Sequence, residues 1–252
     1  MGKPLILISN DDGINAKGIN ELVQLMKEHG DIVVVAPDSA MSGMSSALTS
    51  EKPLRATLVK EEKGCKMYAC SGTPVDCVKL AFNELLDKKP DYVLAGINHG
   101  ANTSVSVLYS GTMGAALEGC VHEVPSIALS LCDHDVNADF SYAIPWVNRI
   151  FNQVIQNGLP KYTCLNVNFP KGEVNGVEVC RQAEGKWENE MDHRVDTRGR
   201  SYFWLTGQFY NMEPSSKDTD LHVVGKRCVS VVPIKIDMTD YTFYNELRSW
   251  DF

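Results

Sequence analysis

The sequence predicts an α/β fold with a Rossmann-like, doubly wound and mostly parallel sheet. Aliphatic runs typical of buried strands alternate with segments of helical periodicity in the first two thirds of the chain. Polar loops containing glycine follow these runs, as they do at the carboxyl ends of parallel strands. After about residue 171 the pattern changes to short β-like runs. We therefore expect one domain over residues 1–252, with a core of about 1–170 and a β-rich extension of about 171–252.

The core elements follow from periodicity and from residues typical of helix ends. The four aliphatic residues at 5–8 predict a buried strand, and the apolar spacing at 16–28 predicts an amphipathic helix that crosses over to a second strand at 31–37. Thr73 is a candidate N-cap with Pro74 in the first helical position. The other predicted core elements are a hairpin at 53–60 and 66–70, helices at 74–86, 110–122 and 140–156, and strands at 91–95, 125–131 and 163–168.

The extension carries the features of a contact surface between chains. Strand-like runs occur at 176–182, 201–206 and 228–236, and a final helix is predicted near 239–249. The aromatic segment at 196–204 predicts a hairpin arm. Because apolar residues in such extensions often contact another copy, we expect the extension to be used for oligomerisation.

Composition excludes several classes of function. The formal net charge of −8 argues against binding a nucleic-acid duplex, although a metal or backbone N–H groups could still attract a small anion. No apolar run is long enough to span a membrane, and the first residues lack the pattern of a signal peptide. None of the eight cysteines forms a CxxC pair. We therefore expect reduced thiols and a cytoplasmic protein.

Small oxygen ligands follow three separate strands of the predicted sheet. Asp11 and Asp12 follow the first strand, a Ser-rich loop at 38–50 follows the second, and an Asn-containing loop follows residue 97. Such a set suits Mg²⁺, Mn²⁺ or Ca²⁺ better than zinc. The alternative is that the paired acids cap a helix or form a solvated turn.

A helix that begins near Ser110 offers a second candidate feature. The N–H groups and hydroxyls of Ser110, Gly111 and Thr112 lie where a helix N-terminus binds anions such as phosphate. The alternative is that Ser110 or Thr112 is only an N-cap. The two roles are compatible beside a metal.

Five motifs in residues 9–112 resemble, in this order, those of the survival protein SurE family. They are SNDDG at 9–13, APD at 36–38 followed by Ser42 and Gly43, SGTP at 71–74, GIN at 96–98 followed by Gly100 and Asn102, and YSGT at 109–112. The segments at 196–204 and 218–220 also resemble this family.

The resemblance implies a 5′-nucleotidase, that is, a metal-dependent phosphatase that acts on nucleoside 5′-monophosphates, with 3′-nucleotides and short polyphosphate as further candidate substrates. It also implies a swapped extension in a homo-dimer or homo-tetramer. One divalent cation per subunit, Mg²⁺ or Mn²⁺, would be held by Asp11, Asp12, Ser42 and Asn98, and either carboxylate could be the catalytic proton acceptor. The phosphate contacts would come from Gly43, Asn102, Ser110, Gly111 and Thr112.

Two other functions are compatible with parts of this pattern. A receiver-like signalling module also uses paired acids to hold Mg²⁺, but it needs an Asp at the end of its middle strand, where this chain has Asn98. A non-catalytic nucleotide sensor on the same core would bind without turnover. We expect His99, between Asn98 and Gly100, to position its loop or face solvent rather than act in catalysis.

Overall fold

A nine-stranded sheet forms the centre of the computed structural model, which describes residues 2–251. The strands of the molecule are β1 (Leu5–Ser9), β2 (Asp31–Pro37), β3 (Ala56–Glu62), β4 (Cys65–Cys70), β5 (Tyr92–His99), β6 (Ser126–Leu131), β7 (Thr163–Phe169), β8 (Gly176–Val179), β9 (Gly185–Glu188), β10 (Met191–Val195), β11 (Ser201–Leu205), β12 (Gln208–Asn211) and β13 (Cys228–Lys235). The helices are α1 (Lys17–Met26), α2 (Pro74–Leu80), α3 (Gly111–Val121), α4 (Ile144–Asn157), α5 (Asp220–Gly225) and α6 (Tyr241–Leu247).

The sheet is mostly parallel, as predicted. Its strand order is β3-β4-β2-β1-β5-β6-β7-β13-β8. The neighbours from β4 to β7 pair in parallel, whereas β3 is antiparallel to β4 and β13 is antiparallel to β7. The carboxyl ends of β1, β2, β5, β6 and β7 therefore lie along one edge of the sheet, where ligands bind in open α/β folds.

Helices cover both faces of the sheet, which confirms the doubly wound arrangement. Ile6 and Ile8 of β1 pack in one apolar core with residues of α1 and α4. Leu7, which points to the opposite face, packs in a second core with residues of α2 and α3. Helix α3 packs closely on its face of the sheet because Gly119 has no side chain. A Cβ at this position would lie 2.3 Å from Ser126 Oγ.

Several local features differ from the sequence predictions, and β9, β12 and α5 were not predicted. The third parallel strand continues through Gly96 to His99 instead of ending at Ala95, because β5 resumes pairing with β6 after a register shift. The helix expected at 74–86 is α2 followed by a π-helical turn at Ala81–Leu85. The predicted arm at 196–204 is part of a longer antiparallel hairpin of β10 and β11.

The remaining predictions about the fold concern cysteines, membrane spans and the extension. All eight cysteines are free thiols, as expected. Within residues 2–251, no helix combines the length and apolarity that crossing a bilayer requires. In the extension, β10 and β11 form one two-stranded sheet, while β9 and β12 form another.

Candidate active site

Asp11 lies at the carboxyl end of β1 against the start of α3. Its side chain is buried, with 4% of its surface exposed, and Thr112 Oγ1 donates a hydrogen bond of 2.5 Å to its Oδ1. Gly111 permits this approach, because a Cβ there would lie 2.8 Å from Asp11 Cβ. The Asp11 carbonyl also accepts the N–H of Met41, which ties the loop after β2 to the same edge.

Asp12 and Asn98 are held by contacts of the extended β5 strand and the loop after it. The backbone N–H of His99 donates to Asp12 Oδ2 at 2.9 Å. The Asn98 side chain donates from Nδ2 to the Gly100 carbonyl at 2.9 Å, which leaves its Oδ1 as an acceptor or metal ligand. The Gly96 backbone (φ +127°) makes this path possible, since a Cβ there would lie 2.3 Å from the Leu129 carbonyl oxygen.

The two carboxylates share an environment that disfavours negative charge. Burial raises the pKa of Asp11 to about 6, and the neighbouring Asp12 charge adds to this while the Thr112 hydrogen bond opposes it. Burial also raises the pKa of Asp12, against the hydrogen bond from His99. Within residues 2–251, no lysine or arginine is among the groups that set these two pKa values. A divalent cation would supply the missing positive charge.

A cleft of about 450 Å³ opens beside Asp11, and we call it the strand-end cleft. Its lining includes most of the predicted site residues, namely Asp11, Ser42, Gly43, Asn98, Asn102 and Ser110. Its volume lies in the range of ordinary ligand pockets. Asp12, Gly111 and Thr112 are not among the lining residues, although each is a chain neighbour of one or bonded to one, and the Thr112 hydroxyl donates to Asp11.

The residues of the predicted phosphate site meet at the start of α3. Ser110 is the N-cap of this helix, because its Oγ accepts the N–H of Met113 at 3.0 Å. The N–H groups of Gly111 and Thr112 precede the first intrahelical bond, from Gly114 to Ser110. Asn102 lines the same cleft and is 6% exposed. The geometry thus combines an N-cap with a helix N-terminus suited to an anion.

His99 contributes its backbone to the site. While its N–H holds Asp12, its ring nitrogen Nδ1 lies 3.0 Å from the Asp135 carbonyl oxygen. The ring packs edge-on against Phe140, with 5.0 Å between the centroids. These contacts agree with a positioning role for His99.

Sequence reasoning missed His134, which lines the cleft, and two groups of residues at the cleft. The first is a wall from the extension, to which Trp187, Glu190, Leu205 and Thr206 contribute. The second is a buried polar set behind Asn102, made of Ser130, Asn166 and Asn168. The segment LNVNF could have indicated the second group, because two asparagines share one face of an apolar strand. No local pattern indicates the first, since the wall depends on how the extension folds back.

Comparisons with known proteins identify relatives of this chain. The family model described as Survival protein SurE matches residues 6–189. A protein named 5′-nucleotidase SurE from Phocaeicola vulgatus is 50% identical over 250 residues, covering 99% of this chain and 97% of that protein. A protein of the same name from Bacteroides fragilis is 48% identical, with coverages of 99% and 98%.

A solved structure supports the same assignment. The crystal structure of the SurE protein from Aquifex aeolicus superposes with a TM-score of 0.83 at 34% identity, covering 97% of this chain and 98% of that one. The fold, the five ordered motifs and the full-length relatives all point to one family. The chain therefore belongs to the survival protein SurE family.

Proposed function

We propose that this chain is a metal-dependent 5′-nucleotidase that hydrolyses nucleoside 5′-monophosphates to nucleoside and phosphate. The observation that carries the proposal is the meeting of the buried Asp11 carboxylate, neutral oxygen ligands and a helix N-terminus at one cleft, with the half-buried Asp12 next to Asp11 in the chain. The names of the full-length relatives support the same reaction and substrate class.

The donor set fits a hard divalent cation, Mg²⁺ or Mn²⁺. Within residues 2–251 no three His, Cys, Asp or Glu side chains form a metal cluster, so the two carboxylates would need neutral oxygens to complete the set. Asp11, Asp12, Ser42 and Asn98 would hold one ion per subunit. Such an ion, when bound, would supply Lewis-acid chemistry to a phosphate oxygen and would lower the pKa of a nearby water.

The protein's own groups account for the other requirements of phosphate hydrolysis. The remaining N–H of the Asn102 amide and the N–H groups at the start of α3 would bind the phosphate oxygens and stabilise their growing charge. Thr112 fixes the orientation of Asp11, and His99 fixes that of Asp12. One of these carboxylates would accept the proton of the attacking water.

The extension supplies a surface for the nucleoside. Trp187 lines the cleft as a partly exposed aromatic ring braced by Phe209, and Glu190 lies nearby. An aromatic face can stack on any base. We rank 5′-monophosphates first because the full-length relatives are named 5′-nucleotidase, with 3′-nucleotides and short polyphosphate as secondary substrates.

The assembly we propose is a homo-dimer or homo-tetramer joined through the extension. Phe203, Trp204 and Leu205 of β11 are each about 60% or more exposed, and Phe243 and Tyr244 of α6 are exposed as well. Such a concentration of apolar surface is typical of protein contacts. We also propose a cytoplasmic location, which fits eight free thiols.

A panel of phosphorylated substrates assayed with Mg²⁺, Mn²⁺ and EDTA tests the reaction. We expect phosphate release from 5′-monophosphates with metal and none in excess EDTA. Asp12→Asn should lower kcat by about 10²- to 10⁴-fold if the carboxylate holds the ion or the proton.

Asp87→Asn is the control, because this exposed carboxylate lies outside the cleft lining and should not affect kcat. Full activity in EDTA or in the Asp12 variant would contradict the metal mechanism. Stoichiometric nucleotide binding without turnover would favour a sensor instead.

A further inference from the structure

We propose that Ser130, Asn166 and Asn168 form a polar clamp that positions Asn102 for the phosphate group, so that all three are positioning residues of the reaction. The inference rests on the proposed function only for the role of Asn102 as a phosphate contact. The clamp itself follows from hydrogen bonds and burial. None of its members belongs to the five motifs of residues 9–112.

Side chains of β7 satisfy both backbone polar groups of Asn102. Asn168 Oδ1 accepts the Asn102 N–H at 2.8 Å, and Asn166 Nδ2 donates to the Asn102 carbonyl at 2.8 Å. Asn168 Nδ2 also donates to Asn166 Oδ1 at 3.2 Å, which couples the two amides. Residues 101–103 belong to no helix or strand, so these side chains provide the backbone hydrogen bonds that a neighbouring strand provides within a sheet.

The third member of the clamp fixes the Asn102 side chain. Asn102 Nδ2 donates to Ser130 Oγ at 2.8 Å, and Ser130 is part of β6. An amide nitrogen carries two donors, so one N–H is left for a phosphate oxygen. Because the first bond sets the side-chain rotamer, the second N–H has a defined direction before substrate arrives.

The burial of the clamp argues that its polarity serves the site. Ser130 and Asn168 are fully buried and Asn166 is 1% exposed, within strands whose neighbours are apolar. A buried amide costs free energy unless its groups are paired, and well-packed apolar residues would serve stability as well. The asparagines find partners in Asn102 and in each other. Their chemistry is therefore directed at one cleft residue.

A neighbouring serine provides a matched control. Ser230 of β13 lies beside Asn168 in the sheet register and is also fully buried. Its Oγ has no hydrogen-bond partner among the described residues. Ser230→Ala therefore alters a polar residue in the same part of the sheet without touching Asn102.

Hydrogen exchange of the backbone N–H of Asn102, followed by NMR, tests the clamp without any assumption about the reaction. We expect slow exchange in the wild type and in Ser230→Ala, and faster exchange in Asn168→Leu. Fast exchange of this amide in the wild type would overturn the clamp.

Kinetics and binding then test its role at the site. We expect Asn168→Leu to lower kcat/KM for a nucleoside 5′-monophosphate by about 10- to 100-fold, which is usual when a residue that orients a site ligand is lost. The affinity of Asn168→Leu for inorganic phosphate should fall in parallel, while its affinity for Mn²⁺, measured by calorimetry, should equal that of the wild type. Ser230→Ala should match the wild type in kcat/KM and in both affinities. A merely structural role would weaken Mn²⁺ and phosphate binding together, and that result would overturn the proposal.

A second variant decides the question if Asn168→Leu does not fold. Ser130→Ala removes only the bond to the Asn102 side chain, and we expect weaker phosphate binding with Mn²⁺ affinity retained. Unchanged phosphate binding in folded Ser130→Ala would overturn the proposal. A wild type that binds phosphate but hydrolyses no nucleotide would contradict the proposed function alone, because the phosphate affinities would still test the clamp.

Discussion

The strand-end edge of the sheet and the extension differ in which kind of side chain they bury and which they expose. At the edge, polar side chains such as Asn168 and Ser130 are fully buried and are bonded to other polar groups. In the extension, Phe203 and Trp204 expose 60% and 59% of their surface. Buried, satisfied polar groups fix one geometry, whereas exposed apolar groups provide area for contact with another chain. The difference supports the proposal that the core fixes the geometry of the site while the extension provides the surface for assembly.

Asp220 joins the two regions. Its fully buried carboxylate accepts the N–H of Ser104 at 2.8 Å and the N–H of Ala183 at 3.1 Å. Ser104 begins the short 3₁₀ helix that precedes Ser110, and its Oγ donates to the Ala183 carbonyl at 2.8 Å. The wall of the cleft that begins after Ala183 is therefore tied to the loop that carries the proposed phosphate site.

The largest effect on stability should come from breaking this joint. Asp220→Ala leaves two buried N–H groups without an acceptor, at about 1–3 kcal/mol each, so we expect the free energy of unfolding to fall by about 2–6 kcal/mol. Denaturant unfolding measures it. Lys217→Ala, at an exposed residue of the same segment, is the control. If the free energy of unfolding fell equally little in both variants, Asp220 would not be the residue that holds the two regions together.

The comparison also explains what sequence could predict. Strands β1 and β2 and the caps Thr73 and Ser110 were predictable, because each depends on residues within a few positions along the chain. The continuation of β5 through His99 was not, because it depends on pairing with β6. The same holds for Asn168, whose partner Asn102 lies 66 residues away.

The site divides in the same way. Motifs located Asp11, Ser42, Asn98, Asn102 and Ser110, which the structure brings to one cleft. They could not reveal that the Thr112 hydroxyl is bonded to Asp11, since that contact spans 101 residues. Contacts between distant segments are fixed by packing of whole elements, which a local pattern does not encode.

Removing apolar surface from the β10–β11 hairpin tests the role assigned to the extension. The double variant Phe203→Ser and Trp204→Ser should shift the assembly to a smaller species, because exposed aromatic residues often dominate protein contacts. Light scattering coupled to size-exclusion chromatography measures the mass. Val136→Ser, at an exposed apolar residue outside the extension, should leave the mass unchanged. A wild-type monomer, or an unchanged mass in the double variant, would contradict assembly through this hairpin.

Trp187 tests whether the extension also contributes to substrate affinity. Trp187→Ala should raise KM for nucleoside 5′-monophosphates by about tenfold with little change in kcat, since base stacking on an aromatic ring contributes to binding. Trp187→Phe should retain most of the affinity. Inhibition by inorganic phosphate, which has no base, should be equal in all three proteins. A parallel loss of phosphate inhibition would place the effect in the phosphate site of the core.

The smallest expected effect concerns the ion pairs that brace the extension. Arg181 contacts Glu213 at 2.6 Å and Asp218 at 2.9 Å, and the Glu184 N–H donates to Glu213 at 2.7 Å. The Arg181 guanidinium, helped by that N–H, lowers the pKa of Glu213 from 4.5 to about 2. The contribution of the Glu213 carboxylate to stability is therefore present above pH 4.5 and is lost as the pH falls towards 2.

Glu213→Gln should consequently lower the unfolding temperature slightly at pH 7, with a difference from the wild type that shrinks as the pH falls from 4.5 towards 2. Thermal unfolding at stepped pH measures this difference. Glu51→Gln, at an exposed glutamate in another loop, should match the wild type throughout. A difference that stayed constant from pH 7 to pH 2 would mean that Glu213 stabilises the extension by packing and not by its charge.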